Sequence, residues 1–247
     1  MKPKRINILG VPVDCVNMDQ AVTAVDAMVA GDSPQAVIAN NPEKVIKAQH
    51  DAELLHQLEN AGLLIPDGIG IVLAARILGL ARMERVPGSE LMPAICKLAE
   101  DKGYRVFLFG ANPEVNQKAC EVLLQRYPGL QIVGNRDGYV AESDMLSLVQ
   151  EINASKAEIL FIALGSPKQE MWMEEYLPKL NIRVCQGVGG TFDVIAGHVR
   201  RAPRIFLYMH LEWFYRLMAN PRRLLRQTAL PKFVFQVLHT KLNKYVG

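Results

Sequence analysis

One pattern occurs twice in this chain and constrains its fold more than anything else: an apolar strand, a single glycine, then a helix opened by a proline. Arg105–Phe109 is the first such strand, with Gly110 as its turn and Asn112-Pro113 opening a helix to about Tyr127. Glu158–Leu164 is the second, followed by Gly165 and Ser166-Pro167. Proline at the first helical position lacks only an N–H that the helix would leave unpaired, so it marks a start and not a break. Between the two units lie another strand-like run, Gln131–Val133, and a helical one, Glu142–Asn153. Such alternation predicts successive βαβ units and a parallel sheet.

The N-terminal part fits the same scheme. Asn17-x-x-Gln20 has the form of a capping box, and Ala21, Val22, Val25, Met28 and Val29 follow at helical spacing until Gly31 stops them. Gln35–Ala39 reads as a buried strand, and Asn41-Pro42 as another cap-plus-proline start. Leu63–Ile65 is a short strand ending in Pro66-Asp67-Gly68, and Ile69–Leu78 is helical. A last strand, Arg183–Gln186, runs into Gly187-Val-Gly-Gly-Thr-Phe-Asp193. The expected fold class is therefore α/β: a Rossmann-like parallel-sheet core of repeated βαβ units over residues 1–196, with a helical C-terminal appendage over 197–247. At 247 residues the chain can bury a full core of this kind.

Charge separates the two regions. Residues 1–196 carry eighteen Lys/Arg against twenty-four Asp/Glu, whereas 197–247 carry ten Lys/Arg and one acid, Glu212. An acidic body joined to a basic, apolar tail points to a polyanionic partner: a lipid surface, a diphosphate or a nucleic acid. The longest apolar stretch of the tail, Ile205–Tyr215, contains His210 and Glu212 and is shorter than the roughly 20 residues a membrane span needs. A membrane-bound form would thus lie on the surface. Cys15, Cys96, Cys120 and Cys185 lack zinc-like spacing and read as free thiols of a reducing compartment.

In an open parallel sheet, ligands bind beyond the carboxyl ends of the strands. Three loops fit that place. Asp67 leaves a strand and precedes a helix, so it reads either as an N-cap or as a general base for a substrate hydroxyl. Gly165-Ser-Pro-Lys-Gln-Glu170 reads as an ordinary capped turn or as an anion site, with Lys168 adding charge at a helix start. Gly187-Val-Gly-Gly-Thr191 has neither a dinucleotide fingerprint nor Walker spacing, and a tight turn explains it equally well. No Asp-x-Asp, HExxH or GxSxG occurs. Without a bridging metal, a departing diphosphate would need helix N-termini and basic side chains. Arg216, Arg223 and Arg226 of the tail offer those, although a solvated basic face accounts for them too. Phe233, Phe235 and Tyr245 among Lys232, Lys241 and Lys244 suit an interfacial helix.

Eight ordered blocks then carry a family resemblance across essentially the whole chain. They are Asn41-Pro-Glu43, Pro66-Asp67-Gly68, Arg85-Val-Pro-Gly88, Gly138-Tyr139, Leu164-Gly-Ser-Pro-Lys-Gln-Glu170, Gly187 to Gly197, Arg201-Ala-Pro203 and Leu211-Glu-Trp-Phe-Tyr-Arg216. Together they resemble the WecG/TagA/CpsF glycosyltransferases of bacterial cell-surface polymers. The resemblance implies a metal-independent, inverting transfer from a UDP-sugar to a polyprenyl-diphosphate-linked sugar at the cytoplasmic membrane face, with no cofactor. N-acetylmannosamine, or its uronic acid, is the sugar it implies, added to lipid-linked N-acetylglucosamine. It implies Asp67 as the base, with Asn41, Arg85 and Gln169 lining the pocket. The UDP moiety would fall to Tyr139 and the glycine loops (Gly110, Gly165, Lys168, Gly187, Gly189, Gly190, Asp193). Arg216, Arg223 and Arg226 match family arginines that close over the site and touch diphosphates. One departure is Ala39, where some relatives carry a hydroxyl residue, which bears on sugar specificity. A nucleic-acid-binding protein or a non-catalytic membrane-docking protein would also use the tail. An acidic body without a recognisable binding module argues against nucleic acid. A homo-oligomer through the core is compatible with the sequence.

Overall fold

The computed structural model describes residues 3–199 and 228–246. Six parallel strands form the main sheet: β3 (Gln35–Asn40), β4 (Leu63–Pro66), β5 (Arg105–Gly110), β6 (Gln131–Arg136), β7 (Ile159–Ala163) and β8 (Val184–Gly187). Their order is β4-β3-β8-β7-β5-β6. Successive side chains feed opposite faces: Val106, Leu108, Ile159 and Phe161 join one apolar cluster, and Phe107, Phe109, Leu160 and Ile162 the other. Burial on both faces is why these strands read as unbroken apolar runs and not as alternating ones.

Helices cover both faces. On one lie α1 (Met18–Val29), α5 (Gly88–Lys102), α6 (Pro113–Arg126) and α9 (Thr191–Ile195). On the other lie α2 (Pro42–Ala48), α3 (Ala52–Asn60), α4 (Ile69–Ile77), α7 (Met145–Ala154), α8 (Lys168–Tyr176) and the C-terminal helix, Ala229–Val246. The capping box of α1 forms as the sequence predicts: Asn17 and Gln20 exchange side-chain and backbone hydrogen bonds. Asn41 and Asn112 likewise cap α2 and α6, each with proline in the first turn. The second repeat differs from the first. Pro167 occupies the cap position of α8 with no side-chain cap bond, because the loop after Gly165 is one residue shorter. Glu142–Asp144 is a short 3-10 turn ahead of α7, so the predicted helix starts at Met145.

From β5 the chain leaves through α6 on one face towards β6; from β7 it leaves through α8 on the other face towards β8. The connections thus diverge between the ends of β5 and β7, which opens a crevice at the carboxyl edge. A separate antiparallel hairpin of β1 (Arg5–Ile8) and β2 (Val11–Asp14) packs beside this core. Buried Asp14 accepts two hydrogen bonds from Arg5, at 2.8 and 2.9 Å, and one from the Leu64 N–H at 2.8 Å, which pins the hairpin to β4.

Candidate active site

At the β3–β4 end of the carboxyl edge, backbone hydrogen bonds lace three blocks together. The Asp67 N–H donates to the Asn40 carbonyl at 2.8 Å, and the Val86 N–H to the Pro66 carbonyl at 2.9 Å. Asn41, Asp67 and Arg85 therefore emerge side by side from segments up to forty-odd residues apart. The Asn41 Oδ1 accepts the Lys44 N–H at 2.9 Å, which turns its amide nitrogen to other partners. Asp67 is half-buried. The N-cap of α4 is Gly68, at φ 97°. Asp67 thus stands one residue ahead of the cap position of α4. Arg85 is half-buried, 3.9 Å from Glu90.

At the other end, the crevice between β5 and β7 is closed below by the Ala111 N–H, which donates to the Ala163 carbonyl at 2.9 Å. The Gly138 N–H reaches the Ala111 carbonyl at 2.7 Å, and Asn116 Nδ2 bridges the Gly110 and Arg136 carbonyls, both at 2.9 Å. These bonds place Gly138, and with it the neighbouring Tyr139, at the end of β5 beside Gly110, and Tyr139 is 77% exposed. At the start of α8 the N–H groups of Gln169 and Glu170 already donate to the Gly165 and Pro167 carbonyls. Attraction for an anion at this loop therefore rests on the exposed Lys168 more than on those two amides.

The Gly187–Gly190 turn spans the two ends. The Val188 N–H pairs with the Ile162 carbonyl, and the Gly189 N–H donates to Gln169 Oε1 at 3.0 Å. Gln169 is buried, and its Nε2 donates to Glu170 Oε1 at 3.2 Å. It lies beneath the turn and not on its open surface. Glu170 in turn pairs with Lys44 at 2.7 Å, with side-chain exposures of 1% and 7%. Lys44 Nζ also donates to the Ala39 carbonyl at 2.8 Å. Burial pushes the Glu170 carboxyl up, but Lys44 and hydrogen bonds from Ser166 and Gln169 outweigh it and hold it below its ordinary value. Glu170 closes one of the eight blocks, but Lys44 lies just past the end of another, and nothing local in the sequence pairs them. Gly190 and Asp193 follow at the start of α9, with the Asp193 carbonyl accepting the Val199 N–H at 3.1 Å. Arg216, Arg223 and Arg226 lie outside the described residues.

Among the described residues, no helix is long and apolar enough to cross a membrane. The sequence profile described as "Glycosyl transferase WecG/TagA/CpsF family" matches residues 6–247. Three curated relatives bear the name N-acetylglucosaminyldiphosphoundecaprenol N-acetyl-beta-D-mannosaminyltransferase. The protein of Bacillus spizizenii W23 is 37% identical over 202 residues, covering 82% of this chain and 78% of its own. That of Bacillus subtilis 168 is 34% identical over 210 residues (85% and 81%), and that of Staphylococcus aureus MRSA252 is 33% identical over 239 residues (96% and 93%).

Proposed function

The chain belongs to the WecG/TagA/CpsF family of glycosyltransferases and is a hexosyltransferase, and from that premise we propose its reaction: transfer of N-acetylmannosamine from a UDP-sugar to N-acetylglucosamine carried on a polyprenyl diphosphate, with inversion at the anomeric carbon. The observation that carries this reading is Asp67. It is a half-buried carboxylate at the carboxyl edge of a parallel sheet, held by backbone bonds beside Asn41 and Arg85 and one residue ahead of the N-cap of α4.

In the proposed step the acceptor hydroxyl gives its proton to the Asp67 carboxylate while its oxygen bonds to the anomeric carbon. The bond from that carbon to the UDP oxygen breaks, and the electron pair leaves with the diphosphate. A single displacement of this kind inverts the centre. Asn41 and Arg85 orient the sugars, and Tyr139, Lys168 and the glycine turns receive the UDP moiety, with Arg216, Arg223 and Arg226 of the tail neutralising the developing charge. The enzyme would work bound to the inner membrane face, where such an acceptor is held.

Positioned general bases contribute about 10²–10⁴-fold. Asp67→Asn is expected to lower kcat by that order in a transfer assay, with the same melting temperature and UDP affinity as the wild type. Near-normal turnover would remove Asp67 as the base. Because arginines are assigned the charge that a divalent cation would otherwise carry, EDTA is expected to leave the initial rate unchanged. A rate that collapses with chelator and returns with Mg²⁺ or Mn²⁺ would refute the arginine assignment.

A further inference from the structure

A continuous chain of polar contacts runs beneath the carboxyl edge and joins the ends of β3, β7 and β8. It starts at Asn41, whose Oδ1 accepts the Lys44 N–H, and passes through Lys44 Nζ to Glu170 Oε1. The same carboxylate oxygen accepts Gln169 Nε2, and Gln169 Oε1 accepts the Gly189 N–H. We propose that Lys44 and Glu170 are positioning residues for the transfer, which fix the Gln169 amide so that it holds the Gly187–Gly190 turn in the form that receives the donor's diphosphate. The proposal rests on the functional reading above for what the turn receives.

Two physical arguments support it. The first is energetic. Removing an ammonium and a carboxylate from water is costly, and well-packed apolar residues in their place are commonly neutral or stabilising. Stability alone is therefore a weak reason for an ion pair at 1% and 7% exposure. The second is directional. A carboxamide can rotate by half a turn and exchange its oxygen and nitrogen at little steric cost. Here the Glu170 carboxylate accepts only from the NH₂ end, which leaves the oxygen facing the Gly189 N–H. With the carboxylate gone, the amide can present a donor to a donor, and the turn loses its anchor. Lys44 acts one step further back, holding the carboxylate ionised and in place through the Ala39 carbonyl at the end of β3.

The test compares the wild type with Lys44→Met/Glu170→Leu, which removes both charges together and leaves no buried ion unpaired. Three readouts are taken: melting temperature, hydrogen exchange at the Gly189 amide, and kcat and KM for the UDP-sugar. The double variant is expected to be as stable as the wild type, to exchange Gly189 at least ~10-fold faster with the β5 and β7 amides unchanged, and to lose on the order of 10²-fold in kcat/KM, the scale of a small misplacement of reacting groups. Adding Gln169→Ala is expected to cost little more, because the pair acts through that amide. Retained Gly189 protection with kcat/KM within about twofold of wild type would reduce the pair to a packing feature. If the double variant does not fold, Lys44→Leu/Glu170→Met, which also removes both charges together, is read by the same exchange measurement with the same two outcomes. Should the wild type itself transfer from no UDP-sugar, the functional reading fails, while the Gly189 exchange still decides whether the pair orders the turn.

Discussion

At the scale of single residues, two glycines of the edge show how the surroundings decide what a substitution does. A Cβ on Gly110 would lie 2.6 Å from the backbone carbon and oxygen of Ala163, at φ 114°. Neither the backbone of a central strand nor that φ can give. Overpacking and positive-φ strain together predict a loss of about 3 kcal/mol for Gly110→Ala. In a chain of this size that corresponds to a melting temperature lower by on the order of 10 °C, readable by calorimetry. A Cβ on Gly187 would instead meet Gln169 Nε2 at 2.5 Å, the movable end of a side chain. Gly187→Ala is expected to keep the melting temperature within a few degrees and to lower kcat by roughly 10- to 100-fold as Gln169 is displaced. The reverse ranking in stability and activity would contradict this account. Residues also differ in how legible they are. Asp67 can be picked out from its neighbours, because a carboxylate between a strand end and two glycines is a local pattern. The burial of Lys44 cannot, since its partner is 126 positions away and only the folded sheet brings the two together.

Secondary-structure elements were legible where their signals are local. Capping asparagines and first-turn prolines mark α1, α2 and α6 because the bonds they make close within three residues. The β1–β2 hairpin carries no such mark. Its turn is Leu9-Gly10, with Leu9 at φ 53° and Asn7 Oδ1 accepting the Gly10 N–H, and its partner Asp14 looks in sequence like an interruption of an apolar run. The C-terminal helix shows the other limit, where an element is readable and its docking is not. It buries Phe233 and Val237 and exposes Val234, Phe235, Leu238 and Leu242. Gln236 Oε1 accepts Gln49 Nε2 at 2.8 Å, which ties the helix to α2. Truncating a buried phenylalanine costs about 3–5 kcal/mol, more than so small an anchor can lose and still hold one helix. Phe233→Ala/Val237→Ala is thus expected to release the helix without unfolding the sheet. Limited proteolysis would show rapid cleavage within 228–246 and an intact remainder; loss of the whole body at the same rate would show that the helix is part of the cooperative core.

At the scale of the whole molecule, charge and apolar exposure together would set how the protein meets the lipid-linked acceptor proposed for it. Residues 197–247 hold ten of the twenty-eight Lys/Arg and one acid, against an excess of acids in the rest. Each basic side chain near an anionic bilayer contributes about 1 kcal/mol, a term that salt screens within a Debye length of roughly 8 Å at physiological ionic strength. The exposed Phe235, Leu238 and Leu242 contribute by burial, which salt does not screen. Their helix packs against α2 and α4, and those helices begin directly after Asn41 and Gly68. The element expected to touch the membrane is therefore mounted on the two helices whose starts frame Asn41 and Asp67, which would keep a membrane-held acceptor close to the proposed base. Two additive contributions follow. Raising salt should weaken binding to vesicles containing anionic lipid without abolishing it, whereas Phe235→Ser/Leu242→Ser should weaken binding at every salt concentration. Neither change acts on the chemistry, so the variant should turn over a water-soluble, short-chain acceptor at the wild-type rate and lose activity only on acceptor in vesicles. Sedimentation with vesicles, paired with the two assays, checks this. Equal binding to neutral and anionic vesicles would remove the charge contribution, and a variant that binds vesicles as the wild type does would detach membrane attachment from this helix.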